Sequence, residues 1–321
     1  MNGCVERVDA SGPEAWHMEK KMNSEILSIA PEVRDALADG RPVVALESTL
    51  ITHGFAYPRN LEVARGIEQA VRDGGAVPAT IAILNGRPMI GIDDAQLHAL
   101  GTVKGARKCS LRDLGIAIGL KQNGATTVAA TMYLARMAGL KVFATGGIGG
   151  VHRGHPFDVS NDLEALARIS ITVICAGAKA LLDLPLTFEH LETRGVPVIG
   201  YETDVIPAFY SRSSGIAADV RAAGAADVAA IVRARRALGQ EGGELICAPV
   251  PEIDELPAEV AEAAIQQAQR MADEQRIHGA ASTPFLLEKI AQLTDGASVR
   301  ANMALLVNNA RVGAAVAAAL S

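Results

Sequence analysis

The sequence is poor in aromatic residues, has no closely paired cysteines, and shows neither a long basic run nor an excess of positive charge. Phe, Trp and Tyr make up only 3% of the 321 residues, so the core has to come from aliphatic side chains; Ala, Val, Ile and Leu with 31 Gly dominate a chain that is 49% hydrophobic. That balance suits buried parallel strands covered by closely packed helices. At this length it is enough for one large α/β domain or two modest ones. A formal net charge of −6 excludes the electrostatic footprint of a nucleic-acid binder and points to a small-molecule partner. The densest basic stretch, Arg233, Arg235 and Arg236, falls in an Ala-rich helical pattern and reads as a solvated helix face. Cys4, Cys109, Cys175 and Cys247 lie far apart, which excludes a zinc site or disulfide scaffold and favours a reducing, cytoplasmic compartment. Cys175 and Cys247 read as core residues. No apolar stretch reads as long and unbroken enough to span a bilayer, so no membrane partner is expected. Residues 1–23 are mixed polar rather than a charged head followed by an apolar segment, and read as a flexible extension.

What is present is an alternation of short β-branched runs and amphipathic helices, which implies a parallel sheet with crossover helices. Strands are expected at Pro42 to Glu47, Ala79 to Leu84, Lys141 to Thr145, Ile171 to Ala176, Pro197 to Tyr201 and Glu244 to Ala248. Asn85-Gly86 reads as a hairpin turn into Arg87 to Ile92, adding one antiparallel pair. Helices are expected at about 24–39, 61–72, 125–138, 161–170, 219–238, 257–276, 283–294 and 298–319. Asn161 with Glu164 resembles a capping box, and Thr283-Pro284 an N-cap followed by Pro at the first helical position. With no internal repeat and no convincing linker, residues 24–321 read as a single domain.

In open α/β sheets ligands sit outside the carboxyl ends of the strands, so polar residues just past each strand are where chemistry belongs. Glu47 closes the apolar run Val43 to Leu46, where partial desolvation would let a carboxyl carry a proton near neutral pH. A strand-end glutamate can also simply pair with a helix N-terminus or an arginine. The run from Ala144 to Asp162 combines Gly146, Gly147, Gly149 and Gly150 with His152 and Arg153, whose donors suit a phosphorylated ligand. Its glycine spacing fits neither a Walker loop nor a dinucleotide fingerprint. Asp158 and Asp162 flank Ser160 and offer hard oxygen ligands for Mg²⁺ or Mn²⁺, with helix capping as the competing role. Lys179 follows an apolar strand and a small-residue turn, a setting that depresses an amine's pKa and makes it nucleophilic toward a carbonyl; a surface lysine at a helix start is the alternative. Lys108, taken alone, is an ordinary loop charge. Asn302, Asn308 and Asn309 could read a base edge or tie the last helix to loops.

Taken together, Val43-Val44-Ala45-Leu46-Glu47-Ser48-Thr49, Val77-Pro78-Ala79-Thr80-Ile81-Ala82, Lys121-Gln122-Asn123-Gly124-Ala125-Thr126-Thr127-Val128-Ala129, Phe143 to Gly154, Ala176-Gly177-Ala178-Lys179 and Ser282-Thr283-Pro284-Phe285-Leu286-Leu287 resemble the pseudouridine-5′-phosphate glycosidases, also called pseudouridylate synthases. These are related to the indigoidine-operon A proteins. The resemblance runs from about Ile29 to Ala310. It implies a three-layer α/β/α fold with a mostly parallel central sheet, a homotrimer, a divalent metal that is commonly Mn²⁺, and reversible conversion of pseudouridine 5′-phosphate to uracil and ribose 5-phosphate. It places the proton donor on Glu47, the imine-forming lysine on Lys179 and the metal aspartate on Asp158. Substrate contacts fall on Lys108, Val128, Thr145, His152, Ser160, Asn161, Asp162 and Asn302. The loop between Gly154 and Phe157 is slightly shorter than expected for that family, and Asn161 replaces a small residue. Two rivals remain at this level. A metal-dependent N-nucleoside hydrolase would need a dense aspartate cluster near the N-terminus, which the sequence lacks; a non-catalytic metabolite-binding protein would not need the Glu, both Lys and the Asp together.

Overall fold

A computed structural model describes residues 26–277 and 282–321, so the N-terminal extension of residues 1–23 lies outside the described residues. The chain runs through β1 (Ser28–Ile29), α1 (Pro31–Ala38), β2 (Val43–Leu46), α2 (Arg59–Asp73), β3 (Val77–Leu84), β4 (Arg87–Ile90), α3 (Asp94–Thr102) and β5 (Arg107–Cys109). It continues through α4 (Leu111–Gly119), β6 (Gly124–Thr126), α5 (Val128–Met137), β7 (Val142–Ala144), β8 (Val151–His152), β9 (His155–Val159), α6 (Asn161–Arg168) and β10 (Thr172–Cys175). The last part comprises β11 (Leu182–Asp183), α7 (Leu184–Thr193), β12 (Val198–Tyr201), β13 (Val220–Ala222), α8 (Ala225–Ala237), β14 (Glu244–Cys247), α9 (Ala258–Glu274), α10 (Ser282–Leu293) and α11 (Ala297–Leu320).

The main sheet has the order β1-β4-β3-β2-β7-β10-β14-β12-β13, with β6 paired to β3 and β5 to β6. Pairs along the β3-to-β13 stretch are parallel, while β4 and β6 run antiparallel to β3. Side chains alternate across each strand. Val43, Ala45, Ala79 and Ile81 therefore enter one core with Val33 of α1, Leu114 of α4, Met132 of α5, Leu166 of α6 and Leu191 of α7. Val44, Leu46, Val142 and Ile174 enter the other, with Ile67 of α2, Val228 of α8, Ala268 of α9, Ile290 of α10 and Leu305 of α11. Helices on both faces of a mostly parallel sheet make the expected three-layer α/β/α fold.

Several boundaries differ from expectation for local reasons. The helix expected over 24–39, whose first two residues lie outside the described ones, is interrupted after Ile26 and resumes at Pro31, because Ala30 is extended (ψ 142°) ahead of the proline and Ser28–Ile29 pairs with Met89–Ile90. The one expected from 219 starts at Ala225, since Val220–Ala222 joins the sheet beside β12. α6 is capped by Ser160, whose hydroxyl accepts from the Asp162 amide at 3.2 Å, so the Asn161/Glu164 box does not form. α10 begins at Ser282, placing Thr283 and Pro284 inside its first turn. The Asn85-Gly86 turn is as expected, with both residues at positive φ (50° and 77°). α11 is in fact long and apolar enough, by length and composition, to cross a membrane. It carries Asn308, Asn309 and Arg311 midway and packs on α2, α8, β2, β7 and β10, the contacts of a core helix.

The basic cluster on α8 is not merely a solvated face. Arg235 Nε and Arg236 Nη1 both lie 3.0 Å from Glu244 Oε1, and Thr172 Oγ1 donates to Glu244 Oε2 at 3.1 Å. Glu244 is fully buried on the central strand β14. Glu244→Ala would strand two guanidinium groups and is expected to cost about 3 kcal/mol. The check is a lower urea midpoint at unchanged slope.

Candidate active site

Three neighbouring parallel strands create the site. Leu46 of β2 is level with Ala144 of β7, which is level with Ile174 of β10. Glu47, Thr145 and the segment leading to Lys179 therefore leave the sheet at one carboxyl edge, although they are far apart in sequence. The edge is braced by hydroxyls: Ser48 Oγ donates to Ile81 O (2.7 Å) and accepts from Thr126 N (2.9 Å), and Thr49 Oγ1 donates to Thr126 O (2.7 Å). From α11, Asn309 Nδ2 donates to Thr145 O at 2.8 Å and Asn308 Nδ2 to Pro249 O at 3.1 Å. Those two asparagines tie the last helix to loops, and Asn302 is the one that faces the cavity.

Glu47, Lys108, Thr145, Lys179 and Asn302 line a single cavity whose apolar wall includes Leu181, Phe209 and Tyr210. Thr145 Oγ1 donates to Glu47 Oε1. Burial raises the Glu47 pKa; Lys179 and the Thr145 hydroxyl oppose that rise, Asp162 reinforces it, and Lys108 opposes it weakly. Lys108 reaches in from the exposed edge strand β5, and its pKa is lowered by lost hydration of the amine and then by the charge of Lys179. His53, on the π-helical turn Leu50–Gly54, also lines the cavity; burial and Lys108 lower its pKa. Lys179 does not start a helix. Its N–H donates to Ile148 O at 3.0 Å, and its carbonyl accepts from Leu182 N at 3.0 Å. The turn before it needs glycine, for Gly177 has φ +84° and an added Cβ would meet Pro207 O at 2.5 Å.

The other expected site residues fall in two nearby places. On the β8–β9 arm, His152 Nδ1 lies 4.0 Å from Asp158 Oδ2, with the aspartate side chain 67% exposed. His152, Arg153 and Asp158 line a second cavity, and Leu181 lines both it and the first. Among the described residues no three His, Cys, Asp or Glu side chains converge as a metal cage. A lone exposed carboxylate fits a cation that keeps most of its water and is bound jointly with a phosphate, and does not fit a closed protein site. Val128, Ser160, Asn161 and Asp162 gather at the N-termini of α5 and α6. There Asp162 accepts from Ala129 N (2.9 Å) and Gly149 N (2.8 Å), while Asn161 Oδ1 accepts from Ser110 Oγ (3.3 Å). Asp162 thereby staples the glycine-rich run to α5.

Two expectations for that run are corrected. A Cβ on Gly149 would sit 2.3 Å from Ser160 Oγ, and one on Gly150 would sit 2.3 Å from Thr187 Oγ1. Close packing therefore explains these glycines, and only Gly146 and Gly147 line the cavity. Arg153 is not a free ligand donor: its guanidinium pairs with Glu262 at 2.7 and 3.0 Å and donates to two backbone carbonyls. The sequence reading missed Leu181, Phe209 and Tyr210. In a chain with 4 Tyr and 6 Phe, the adjacent Phe209-Tyr210 pair was the available signal.

Comparison with known proteins agrees with this architecture. The chain is 51% identical over 300 residues to a pseudouridine-5′-phosphate glycosidase of Caldanaerobacter subterraneus subsp. tengcongensis, covering 93% of this chain and 98% of the relative. It is 50% identical over 300 residues to one of Geobacillus kaustophilus, covering 93% and 100%. Among solved structures, the prealnumycin C-glycosynthase AlnA in complex with ribulose 5-phosphate superposes with a TM-score of 0.86 at 40% identity, covering 92% of this chain and 97% of that one. An indigoidine synthase A-like protein from Thermotoga maritima gives 0.84 at 33% identity, covering 91% and 96%. The family described as indigoidine synthase A like protein matches residues 32–319, and the chain belongs to it.

Proposed function

We propose that this protein is a pseudouridine-5′-phosphate glycosidase, reversibly cleaving the C1′–C5 bond to give uracil and ribose 5-phosphate. The observation that carries the reading is the pairing, in one cavity, of a buried carboxyl with a raised pKa and a lysine whose charge acts on it. A carbon–carbon glycosidic bond cannot break like a carbon–nitrogen one, since uracil C5 is a very poor leaving carbanion. An electron sink at C1′ is required.

Glu47 protonates O4′ as the C1′–O4′ bond breaks, and the amine of Lys179, having given one proton to water, bonds to C1′ through its lone pair and releases a second. The nitrogen lone pair then makes an imine as the C1′–C5 bond breaks, and its electron pair takes a proton at C5 to give uracil. Water hydrolyses the imine, releasing ribose 5-phosphate and the free amine. Lys108 and Asn302, on the same cavity wall, are suited to hold the uracil carbonyls. Thr145, through its bond to Glu47, orients the proton donor. His152, Ser160, Asn161 and the first turn of α5 at Val128 complete the substrate site around the phosphate, and the expected contact at Asp162 becomes a supporting one, because its two carboxylate oxygens hold Ala129 N and Gly149 N. Asp158 is the residue that would hold Mn²⁺ or another divalent cation, which would supply charge neutralisation and ordered water beside the phosphate. The same reading has residues 24–321 acting as one catalytic domain in a cytoplasmic homotrimer with no nucleic-acid or membrane partner. The buried free thiols of Cys109, Cys175 and Cys247 support that compartment, and Phe157, 99% exposed on β9, is an apolar contact such an assembly would cover.

After treatment with a chelator, the protein is expected to release little uracil from pseudouridine 5′-phosphate and to regain activity on adding Mn²⁺. Unchanged activity in chelator would remove the cation from the reading. Release of uracil from uridine alone would favour an N-nucleoside hydrolase. Tight binding without turnover under every divalent cation would favour a non-catalytic binder.

A further inference from the structure

We infer that Arg153 is a positioning residue that sets the Lys179 loop, and that Glu262 on α9 is its anchor; the inference rests on Lys179 being the nucleophile. The segment from Lys179 to Leu181 is neither helix nor strand, so something must fix it. On its N-terminal side the fixing is backbone: Ala178 bridges to Ile148, and Lys179 N donates to Ile148 O at 3.0 Å. On its C-terminal side Leu182 N donates to Lys179 O at 3.0 Å and Leu182–Asp183 pairs with Val151–His152, and one guanidinium fastens the carbonyls around that turn. Arg153 Nη2 donates to Ala180 O at 2.9 Å, and Nε donates to Leu182 O at 3.0 Å. Two carbonyls directly beyond the lysine are thus held by one planar group.

That group is itself immobilised. Glu262 grips it through both carboxylate oxygens, at 2.7 Å to Nη1 and 3.0 Å to Nη2, and the arginine holds the Glu262 carboxyl below the usual range. Gln266 Nε2 adds a bond to Glu262 Oε1 at 2.9 Å. A bidentate fork plus two carbonyl bonds uses the directional donors that only a guanidinium offers, so lysine cannot replace it in full. With these bonds made, Arg153 has little donor capacity left for a phosphate.

The arrangement also joins two parts of the site. Arg153 follows His152 at the tip of β8, and β8 pairs with both β9, which carries Asp158, and β11, which ends the Lys179 loop. The arm proposed to hold phosphate and cation and the loop presenting the amine are therefore one mechanical unit, with Arg153 as the fastening. A nucleophile displaced by about 1 Å can lose 10²-fold in rate without losing substrate affinity.

The test compares Arg153→Met, Arg153→Lys and Glu262→Gln with the wild-type chain, measuring uracil release, the rate of borohydride trapping with ribose 5-phosphate, and hydrogen exchange over residues 178–186. Arg153→Met is expected to lower kcat and the trapping rate together by about 30- to 100-fold with KM within about threefold, and to speed exchange in that segment. Arg153→Lys should recover part of the loss. Glu262→Gln should lose about fivefold, because its amide oxygen keeps one acceptor for the fork. A raised KM at unchanged kcat would overturn the inference by making Arg153 a ligand contact. Wild-type trapping and exchange in Arg153→Met would overturn it as well. Failure of the imine reading looks different: wild-type protein would release uracil yet give no adduct at Lys179, and the exchange and kcat of the Arg153 variants would still decide the positioning role.

Discussion

Lys179→Ala is expected to abolish uracil release and the borohydride-trapped adduct together, with kcat falling by about 10⁴-fold or more, the scale on which loss of a nucleophile acts. The size follows from the bond being broken. With a carbon leaving group, acid assistance at the sugar oxygen opens the ring but does not release uracil; the electrons needed at C1′ come from an amine nitrogen. Lys108 lines the same cavity, so trapping must be mapped to a residue. Loss of the Lys179 adduct with a weak new one at Lys108 would leave the proposal standing, whereas an adduct at full yield in Lys179→Ala would sink it. The fold should tolerate the change, because the hydrogen bonds that hold this position are backbone ones, to Ile148 O and from Leu182 N, which alanine keeps. Lys179→Arg keeps the charge and should be equally inactive, since a guanidinium stays protonated and cannot attack C1′.

Much of the sheet was legible because its strands are short, mostly apolar runs bounded by glycine, proline or polar residues: β2, β7, β10, β12 and β14 fall within the expected segments. Helices α3 and α7 were not foreseen, and α4 only as an unbounded helix after the Lys108 loop. α4 contains two glycines and α3 has Gly101 in its last turn, which weakens their interiors, yet each of the three carries a local start signal: Asp93 with Gln96, Ser110 with Asp113, and Asp183 ahead of Pro185. The site was legible one residue at a time. Glu47 and Lys179 each stand at the polar end of an apolar run, but nothing local says that β2, β7 and β10 are neighbours. The same limit explains Arg153. Beside His152 in a glycine-rich run it looks like a ligand donor, and its true partner lies 109 residues away on α9. Glu244 reverses the case: a carboxylate in an apolar strand is unremarkable in sequence until α8 brings Arg235 and Arg236 over it.

Glu47→Gln separates catalysis from stability. The glutamine can still accept from Thr145 Oγ1 but has no acidic proton to give, so kcat is expected to fall by about 10²- to 10⁴-fold, the usual worth of a general acid. Wild-type activity should decline on the alkaline side as Glu47 loses its proton, and the raised pKa places that decline above the ordinary carboxylate range. The variant's residual activity should lack this limb. Stability should move the other way. A glutamate whose folded pKa is raised binds more protons folded than unfolded, so its contribution is fully present below the unfolded pKa and is lost as pH rises through the folded value. Above that value the wild-type chain carries a buried carboxylate, only partly compensated by Lys179 and Thr145, that the glutamine variant does not. Glu47→Gln is therefore expected to match the wild type in urea midpoint at acidic pH and exceed it progressively as pH rises. Equal midpoints across the range, with near-normal kcat, would remove Glu47 from the proton-donor role. A stable but inactive variant would instead identify the desolvated carboxyl as strain the fold carries for the sake of the reaction.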